Sequence, residues 1–275
     1  MQIHETIAGL RAALKNADRI ALVPTMGNLH EGHIALMTQA RSHGDAVVAT
    51  IFVNRLQFRP GEDFEKYPRT FAADCARLSA AGVDHLFAPS EAELYPQPQY
   101  YYIELPPDHA NVLDGEFRPG HFRGVATVVM KLFQIVGATT ALFGKKDFQQ
   151  LMIIRNMVQE FNLPIEIVAG ATVRADDGLA LSSRNGYLSA AERAEAPRLY
   201  RTLSRIASRI RTGDHDFARL EQEAVTELTA SGWFPDYIAV RNEIDLQLPA
   251  AHDSRLVVLA AARLGSTRLI DNLEV

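Results

Sequence analysis

The chain has 275 residues, of which 47% are hydrophobic and 22% are charged, and its formal net charge is −5. This composition is typical of a globular protein with enough apolar material for a full core. The charge argues against nucleic acid as a partner, because binding to a phosphate backbone needs a concentrated Lys and Arg surface. A single cysteine, Cys75, excludes an internal disulfide and disfavours a cysteine-based metal site.

The first residues predict a helix and not a signal peptide. Met1 to Leu14 contain Glu5 and Arg11 and have no unbroken apolar run, which is typical of an amphipathic helix. No stretch of the sequence approaches the roughly 20 apolar residues that a membrane span requires. We therefore expect a cytoplasmic protein that has no membrane partner.

The first part of the chain alternates between strand-like and helix-like patterns. Short apolar runs predict strands at residues 19–23, 45–53, 83–88, 139–143 and 164–168. Helical patterns lie between them at residues 34–43, 70–81 and 125–136. Strands that are apolar on both faces and separated by helices indicate βαβ units. We therefore predict an α/β fold with a Rossmann-like, doubly wound parallel sheet, whose ligands bind beyond the carboxyl ends of the strands.

The pattern changes at the turn signal Asp176-Asp177-Gly178. Residues 189–192 (SAAE) then have the form of a capping box, and two amphipathic helical patterns run up to Gly213 and Gly232. Strand-like runs follow at residues 237–241, 255–262 and 267–271. We predict a Rossmann-like domain at residues 1–175 and a smaller, lid-like C-terminal α+β domain at residues 176–275.

The segment Pro24 to His33 (PTMGNLHEGH) follows the first predicted strand and opens a helix. A helix N-terminus has free N–H groups and a partial positive charge, which favour phosphate. Gly27 and Gly32 let the backbone approach a nucleotide closely, and His30 and His33 can face one phosphate group. Two alternatives stay open. The histidines can bind metal, although the zinc-protease motif spaces them by four residues, or they can have a structural role in capping and packing.

Three further segments place polar groups at predicted strand ends or turns. Asn54 and Gln57 follow the second predicted strand, and their amides suit hydroxyl and carboxylate groups because they both donate and accept. Gly144-Lys145-Lys146 follows the fourth predicted strand and can present a cation to phosphate. Residues 181–184 (LSSR) add two hydroxyls and a guanidinium, which matches phosphate geometry. Each segment alone is also compatible with a solvated or structural loop.

Together these segments resemble the pantothenate synthetase (pantoate–β-alanine ligase) family of the HxGH nucleotidyltransferase superfamily. The resemblance covers nearly the whole chain in the family's order, which is far more specific than any one motif. It lies in PTMGNLHEGH at 24–33, IFVN and QF within 51–58, YPRT at 67–70, RPGHF at 118–122, GVATVV at 124–129, FGKKDFQQ at 143–150, DGLALSSRN at 177–185, and residues 263–272.

The resemblance implies a Rossmann-like homodimer whose smaller C-terminal domain closes over the site. It implies condensation of (R)-pantoate with β-alanine to pantothenate through a pantoyl adenylate, using ATP with Mg²⁺ and releasing AMP and pyrophosphate. His33 matches the family's catalytic residue, and we assign His33, His30 and Lys146 to the positive charge that stabilises the reacting phosphates. Gln57 and Gln150 match the pantoate-binding glutamines, with Asn54 as a neighbour. The implied ATP site comprises Met26, Gly27, Asn28, Leu29, His30, Glu31, Gly32, His33, Gly144, Lys145, Lys146, Asp147, Val173, Leu181, Ser182, Ser183 and Arg184.

The chain departs from the family pattern at three places. Gly137-Ala138 stands where a Pro–Asp pair is common, Leu181 stands where Met is usual, and Arg55 stands where Pro is usual. Arg55 is nearest to the implied pantoate site. We expect it to leave that loop freer than Pro would, unless a partner such as Glu62 or Asp63 holds its guanidinium. We do not expect it to contact pantoate.

Two other classes of function are compatible with the sequence. One is a nucleotidyltransferase that joins AMP to a phosphate-bearing substrate, whose product would retain the nucleotide. The other is a non-catalytic module that binds ATP without turnover. The sequence contains no P-loop, no GxGxxG fingerprint and no GxSxG nucleophile elbow. Phosphate binding is therefore expected to depend on the segments at 24–33, 144–146 and 181–184.

Overall fold

The computed structural model describes residues 1–62, 64–250 and 253–275. Its strands, β1 to β9 in chain order, are Gln2–His4, Ile20–Thr25, Ala46–Ile51, His85–Phe87, Thr140–Gly144, Glu166–Gly170, Trp233–Asn242, Leu256–Leu264 and Thr267–Glu274. Its helices, α1 to α11, are Ile7–Leu14, Glu31–Ala40, Phe71–Ala80, Glu91–Leu94, Pro107–Ala110, Asp114–Phe117, His121–Val136, Phe148–Glu160, Ala190–Glu195, Arg198–Arg211 and Phe217–Ala230. Short 3-10 turns lie at Arg55–Gln57, Lys145–Asp147 and Ser183–Tyr187.

A six-stranded parallel sheet with the order β1-β4-β3-β2-β5-β6 forms the first part of the protein. Alternate residues of β2 enter two different hydrophobic clusters. Ile20 and Leu22 pack on the side that carries α1, α7 and α8, whereas Ala21 and Val23 pack on the side of α2 and α3. Helices therefore cover both faces of the sheet, which confirms the predicted doubly wound α/β fold.

A second, antiparallel sheet with the order β7-β8-β9 follows, and α10 and α11 pack against it. Trp233, which is fully buried, belongs to the same hydrophobic cluster as residues of both helices. The predicted capping box is present, because the Glu192 carboxylate accepts from the Ser189 N–H at 2.7 Å and the Ser189 hydroxyl accepts from the Glu192 N–H at 3.3 Å. The smaller C-terminal α+β unit is confirmed. Its boundary at residues 175 and 176 stays a prediction.

The structure corrects the prediction for the first residues. Gln2–His4 form a three-residue strand at the edge of the sheet, paired with β4, and the helix begins only at Ile7 after the Thr6 cap. Helix α8, Phe148–Glu160, was not predicted and follows directly from the FGKKDFQQ segment. Among the described residues, no helix is both long and apolar enough to cross a membrane.

A crevice opens between β2 and β5 at the carboxyl edge of the parallel sheet. Their pairing ends at Leu22 and Ala141, although the strands continue to Thr25 and Gly144. Pro24 has no backbone N–H with which to extend the ladder. Strand β2 is also where the strand order reverses, since β3 lies on one side of it and β5 on the other. Such a switch point is where doubly wound sheets bind their ligands.

Candidate active site

The crevice leads into a cavity of about 230 Å³, the first chamber, which adjoins a second chamber of about 420 Å³. The two chambers share the walls formed by Arg118, His121, Lys146, Asp147, Gln150, Ser182 and Arg184. The first chamber is lined by these predicted site residues: Met26, His30, Gly32, His33, Asn54, Gln57, Gly144, Lys146, Asp147, Gln150, Val173, Leu181, Ser182, Ser183 and Arg184. All four polar segments found in the sequence therefore meet in one place.

Five predicted residues do not form the walls of either chamber: Gly27, Asn28, Leu29, Glu31 and Lys145. Leu29 is buried in the core. Glu31 instead pairs with Arg77, at 3.0 Å, on the protein surface. Residues 27–29 form the loop that leads to His30 and His33. The backbone of this loop therefore positions the two histidines in the cavity.

His30 and His33 form the N-terminal cap of α2. The His30 Nδ1 accepts from the Gly32 N–H at 3.1 Å, and the His33 Nδ1 accepts from the His30 N–H at 3.3 Å. Because both Nδ1 atoms accept, the neutral rings carry their protons on Nε2. The ring centroids are 4.1 Å apart, and both rings line the first chamber. The pair therefore presents two N–H donors.

The two imidazoles are uncharged at neutral pH. Burial lowers the pKa of His30 to about 3, and the nearby His33 and the Lys146 charge contribute to this shift. Burial also lowers the pKa of His33 to about 4, although Asp147 opposes this shift. At neutral pH both rings are therefore neutral and present N–H groups to the chamber, in place of the positive charge that the sequence analysis assigned to them. Gly32 is required by this cap, since a Cβ there would lie 2.9 Å from the His30 ring.

A buried carboxylate, Asp74 of α3, holds the loop that precedes His30. Its side chain is 2% exposed and accepts from the N–H groups of Asn28 and Leu29, at 2.9 and 2.8 Å, and from the Thr70 hydroxyl at 3.0 Å. Asn28 has a φ of 51°, in the left-handed region, where asparagine is one of the tolerated residues. Sequence reasoning missed Asp74. A carboxylate on the buried face of the predicted helix 70–81 was the available signal.

Lys146 and Arg184 supply positive charge to the chamber wall. The Lys146 Nζ lies 3.9 Å from the Asp147 carboxylate. Burial opposes ionisation of Asp147, but the charges of Lys146 and Arg184 outweigh it and hold its pKa below the usual range. Asp147 is therefore an anion, and Lys146 and Arg184 place cations on the same wall, where they favour phosphate oxygens.

Ser182 and Ser183 make different hydrogen bonds. The Ser182 hydroxyl accepts from the Arg184 N–H at 3.2 Å, whereas the Ser183 hydroxyl donates to the Asn28 carbonyl at 3.0 Å. The Asn28 side-chain amide donates in return to the Ser183 carbonyl at 3.4 Å. Ser183 thus joins the histidine loop to the LSSR segment, and its proton is not available to a phosphate.

Strand β9 of the C-terminal unit supports the turn that carries Lys146. The Asn272 side-chain amide donates to the carbonyls of Lys145 and Lys146, each at 2.9 Å. The Lys145 ammonium pairs with the Glu274 carboxylate at 2.6 Å. Of the two neighbouring lysines, Lys145 therefore faces β9 and Lys146 faces the cavity.

Amide groups form the opposite side of the first chamber. Asn54 is 1% exposed, and its Nδ2 donates to the Gln57 Oε1 at 3.1 Å and to the Gly124 carbonyl at 3.2 Å. The Gln57 Nε2 donates to the Met26 sulfur at 3.2 Å. Gln150, the second predicted pantoate ligand, lines both chambers. Apolar side chains complete this side: Phe52, Val125, Val128, Val129, Leu132 and Phe143.

Arg118 and His121, from the RPGHF segment, also line both chambers, although the sequence assigned them no role. An Arg118 guanidinium nitrogen lies 3.0 Å from the His121 Nε2, and the His121 Nδ1 lies 2.9 Å from the Gln57 carbonyl. Because arginine only donates, Nε2 accepts and Nδ1 donates. Burial, together with the Arg118 charge, lowers the pKa of His121 to about 3. This neutral histidine fixes the backbone of Gln57.

Arg55 lies outside both chambers. Its guanidinium is 3.3 Å from the Glu91 carboxylate, 3.4 Å from the Glu65 carboxylate and 3.9 Å from the centre of the Phe64 ring. The suggested partner Glu62 is wrong, since Glu62 pairs with Arg118 and Arg59 instead. The other suggested partner, Asp63, lies outside the described residues.

Neutral donors and cations that converge on the start of α2 suit the phosphates of a nucleotide. The glutamine amides lie in the same cavity, beside an apolar wall that suits a second, small molecule. The fold and the site thus define a nucleotide-dependent enzyme of the HxGH type. The sequence model of the family described as Pantoate-beta-alanine ligase matches residues 2–274. The chain belongs to the pantoate–β-alanine ligase family.

Relatives and solved structures agree with this assignment. Pantothenate synthetase of Chromobacterium violaceum is 61% identical over all of this chain and 99% of its own, and that of Thiobacillus denitrificans is 58% identical over 100% and 97%. The crystal structure of pantothenate synthetase from Thermus thermophilus has a TM-score of 0.94 and 43% identity over 99% of each chain. Pantoate-beta-alanine ligase from Francisella tularensis, complexed with beta-gamma ATP and beta-alanine, has a TM-score of 0.80 and 34% identity over 99% of this chain and 97% of that chain.

Proposed function

We propose that the protein is an ATP-dependent ligase that condenses (R)-pantoate with β-alanine to pantothenate, with release of AMP and pyrophosphate. The observation that carries this proposal is the cavity in which the two histidine donors, Lys146 and the two glutamine amides meet. Membership of the pantoate–β-alanine ligase family supports the same reaction.

The first step activates pantoate, because a carboxylate is a poor electrophile and repels an approaching nucleophile. A pantoate oxygen attacks the α-phosphorus of ATP, which forms pantoyl adenylate and displaces pyrophosphate. Negative charge then grows on the phosphate oxygens. His30 and His33 donate to these oxygens through Nε2, and Lys146 adds a full positive charge. Such groups are effective because they are already in place before charge develops.

Pantoate is bound on the amide side of the first chamber. Gln57 and Gln150 bind its carboxylate and hydroxyl groups, since amides offer both a donor and an acceptor. Its two methyl groups pack against the apolar wall around Phe52 and Val125. Arg184 and Ser182 hold the phosphates at the other end, so the acid and the α-phosphorus are brought together.

The second step joins the amine. The neutral amino group of β-alanine attacks the activated carbonyl. The bond between the carbonyl carbon and the AMP oxygen breaks with its electron pair on AMP, and the nitrogen loses one proton to solvent as the amide forms. Since the second chamber shares a wall with the first, it gives β-alanine access to the adenylate while the first chamber is filled. No covalent enzyme intermediate is needed for either step.

Mg²⁺ is the metal that we propose to act with ATP. Within residues 1–62, 64–250 and 253–275, no group of three or more His, Cys, Asp or Glu side chains is arranged to hold a metal ion. Asp147 is a carboxylate on the chamber wall beside the proposed phosphate site. This donor set fits Mg²⁺, which is commonly held by one or two carboxylates together with substrate phosphates and water. Bound there, it would neutralise phosphate charge.

We also propose a homodimer and the division into residues 1–175 and 176–275. The separate hydrophobic clusters under the two sheets support the division. Tyr100 and Tyr101 are 75% and 89% exposed, and adjacent exposed aromatic side chains are typical of subunit interfaces. A cytoplasmic location stays a prediction from the sequence.

The stepwise scheme predicts isotope exchange before the amine enters. With pantoate and ATP present and β-alanine absent, labelled pyrophosphate should enter ATP, because the adenylate forms reversibly in the cavity. Exchange that needs β-alanine would contradict the stepwise order.

A product assay in which each substrate is omitted in turn separates the ligase from the two other classes of function. A nucleotidyltransferase would retain AMP in its product, and a binding module would show no turnover.

Replacing Arg55 tests whether it contacts pantoate. We expect Arg55→Pro to leave the KM for pantoate within about twofold, because the Arg55 guanidinium faces Glu65, Glu91 and Phe64. Proline reduces the entropy of the unfolded chain, which stabilises the fold by roughly 0.4–1 kcal/mol. The lost exposed ion pairs are worth about 0.2–1 kcal/mol each, so the thermal midpoint should change little. Arg55→Ala is the control, because it loses the same ion pairs but does not reduce the entropy of the unfolded chain as proline does. It should therefore melt at a lower temperature than the proline variant. A steep rise in the pantoate KM would show that Arg55 binds substrate.

A further inference from the structure

The hydroxyl of Tyr95 lies beneath the amide side of the first chamber. It donates to the Asn54 Oδ1 at 2.9 Å. The Asn54 Nδ2 donates onward to the Gln57 Oε1 and to the Gly124 carbonyl, and the Gln57 Nε2 contacts the Met26 sulfur. We propose that Tyr95 is a positioning residue that fixes, through Asn54, which end of the Gln57 amide faces pantoate. This inference rests on the proposed function.

Direction matters in this chain of hydrogen bonds because the two ends of an amide are similar in shape and opposite in polarity. The Gly124 carbonyl can only accept, so it selects the nitrogen end of Asn54. The Tyr95 hydroxyl then satisfies the oxygen end, which is buried and has no other partner among the described residues. With Asn54 held at both ends, its second N–H is directed at the Gln57 oxygen.

The consequence for Gln57 is that its oxygen is engaged and its nitrogen is turned towards the chamber. One N–H of this nitrogen contacts the Met26 sulfur, a weak acceptor, and the other is available to a ligand. A donor at this place attracts the carboxylate or hydroxyl oxygens of pantoate. A reversed amide would present a carbonyl oxygen to them and repel them.

Tyr95 is itself held firmly and does not reach the cavity. Its ring packs against Phe52 with centroids 6.0 Å apart, and the Lys131 ammonium lies 4.6 Å from the ring centre. Burial, together with the negative charge of Glu91, raises the pKa of its phenol, so it stays a donor. Tyr95 lines neither chamber. Its ring supports Phe52 of the apolar wall, whereas its hydroxyl acts on the site through Asn54.

Tyr95→Phe tests the proposal, since it keeps the ring and removes only the hydroxyl. We expect the KM for pantoate to rise about tenfold, which is the loss expected for one net hydrogen bond. The kcat and the KM for ATP should stay within about twofold, and the thermal midpoint should fall by several degrees, because the buried Asn54 Oδ1 loses its donor. Tyr200→Phe is the matched control, because its ring also contacts a cation, Arg174, and lines neither chamber. It should leave the pantoate KM unchanged.

The same substitution in a Gln57→Ala background separates positioning from general damage. If Tyr95 acts through the Gln57 amide, Tyr95→Phe should add less than about a twofold change in pantoate KM there. A tenfold change in that background would overturn the proposal, as would an unchanged KM in the single variant or an equal loss for ATP and pantoate. A wild-type protein that makes no pantothenate would instead refute the proposed function.

Discussion

Alanine in place of His33 or Lys146 should slow adenylate formation by on the order of 10²–10³. Each change removes one preorganised donor to the developing phosphate charge, an interaction worth about 3–4 kcal/mol. The two residues line the cavity from different segments. His33→Ala also removes the acceptor of the His30 N–H, so it needs a variant that keeps this acceptor. Single-turnover measurement of the adenylate, with labelled ATP and pantoate, reports this step directly.

Matched variants separate the proposed roles from general damage. His33→Gln places an amide N–H donor near the position of Nε2. His33→Asn places its shorter amide near Nδ1, where its oxygen can accept from the His30 N–H but its N–H groups do not reach the position of Nε2. The glutamine variant should therefore retain more activity. Lys145→Ala is the control for Lys146→Ala, because Lys145 pairs with Glu274 and faces away from the cavity. Near-normal adenylate formation in the Lys146 variant, or equal losses at both lysines, would refute the role assigned to Lys146.

Asp74→Ala should be the most destabilising of the changes considered. It leaves the N–H groups of Asn28 and Leu29 and the Thr70 hydroxyl without their acceptor. The two loop N–H groups left unsatisfied cost roughly 1–3 kcal/mol each, whereas Thr70 is exposed and its hydroxyl can bond to water. The loop that leads to His30 would also lose its left-handed turn, so the KM for ATP should rise together with the loss of stability. Urea unfolding and steady-state kinetics measure the two effects.

Thr70→Val is the matched control for Asp74. It removes the hydroxyl donor but leaves both hydrogen bonds to the loop. We expect a destabilisation of about 1 kcal/mol and an unchanged KM for ATP. If Asp74→Ala lowered stability without any change in the KM for ATP, the carboxylate would support α3 and not the nucleotide site.

Much of the fold follows from the sequence because buried parallel strands leave a strong pattern. The runs at 45–53 and 139–143 are apolar on both faces, and the structure shows helices on both sides of each. Strand β1 is different. Gln2–His4 is short and largely exposed, so it has no apolar pattern of its own. Its strand conformation is stabilised by pairing with β4, a long-range contact that the local sequence does not predict.

The site could be located from sequence, but the direction of each side chain could not. Local chemistry alone does not distinguish Lys145 from Lys146, and the sequence analysis assigned the charge to Lys146. The physical reason lies far along the chain, because Glu274 pairs with Lys145 and Asn272 holds the turn. The charge of His30 was also beyond a local pattern, since it depends on burial that only the assembled fold creates. The sequence thus predicts which segments form the site. It does not predict how their side chains pack or whether they are protonated.

The support that β9 gives to the Lys146 turn has a consequence for protein synthesis. The parallel sheet can be completed once the chain has reached Gly170, yet Asn272 and Glu274 emerge from the ribosome much later. Until they arrive, Lys145 lacks its carboxylate and the turn lacks both hydrogen bonds from the Asn272 amide. The turn that carries Lys146 is therefore completed by the last strand of the chain to be synthesised.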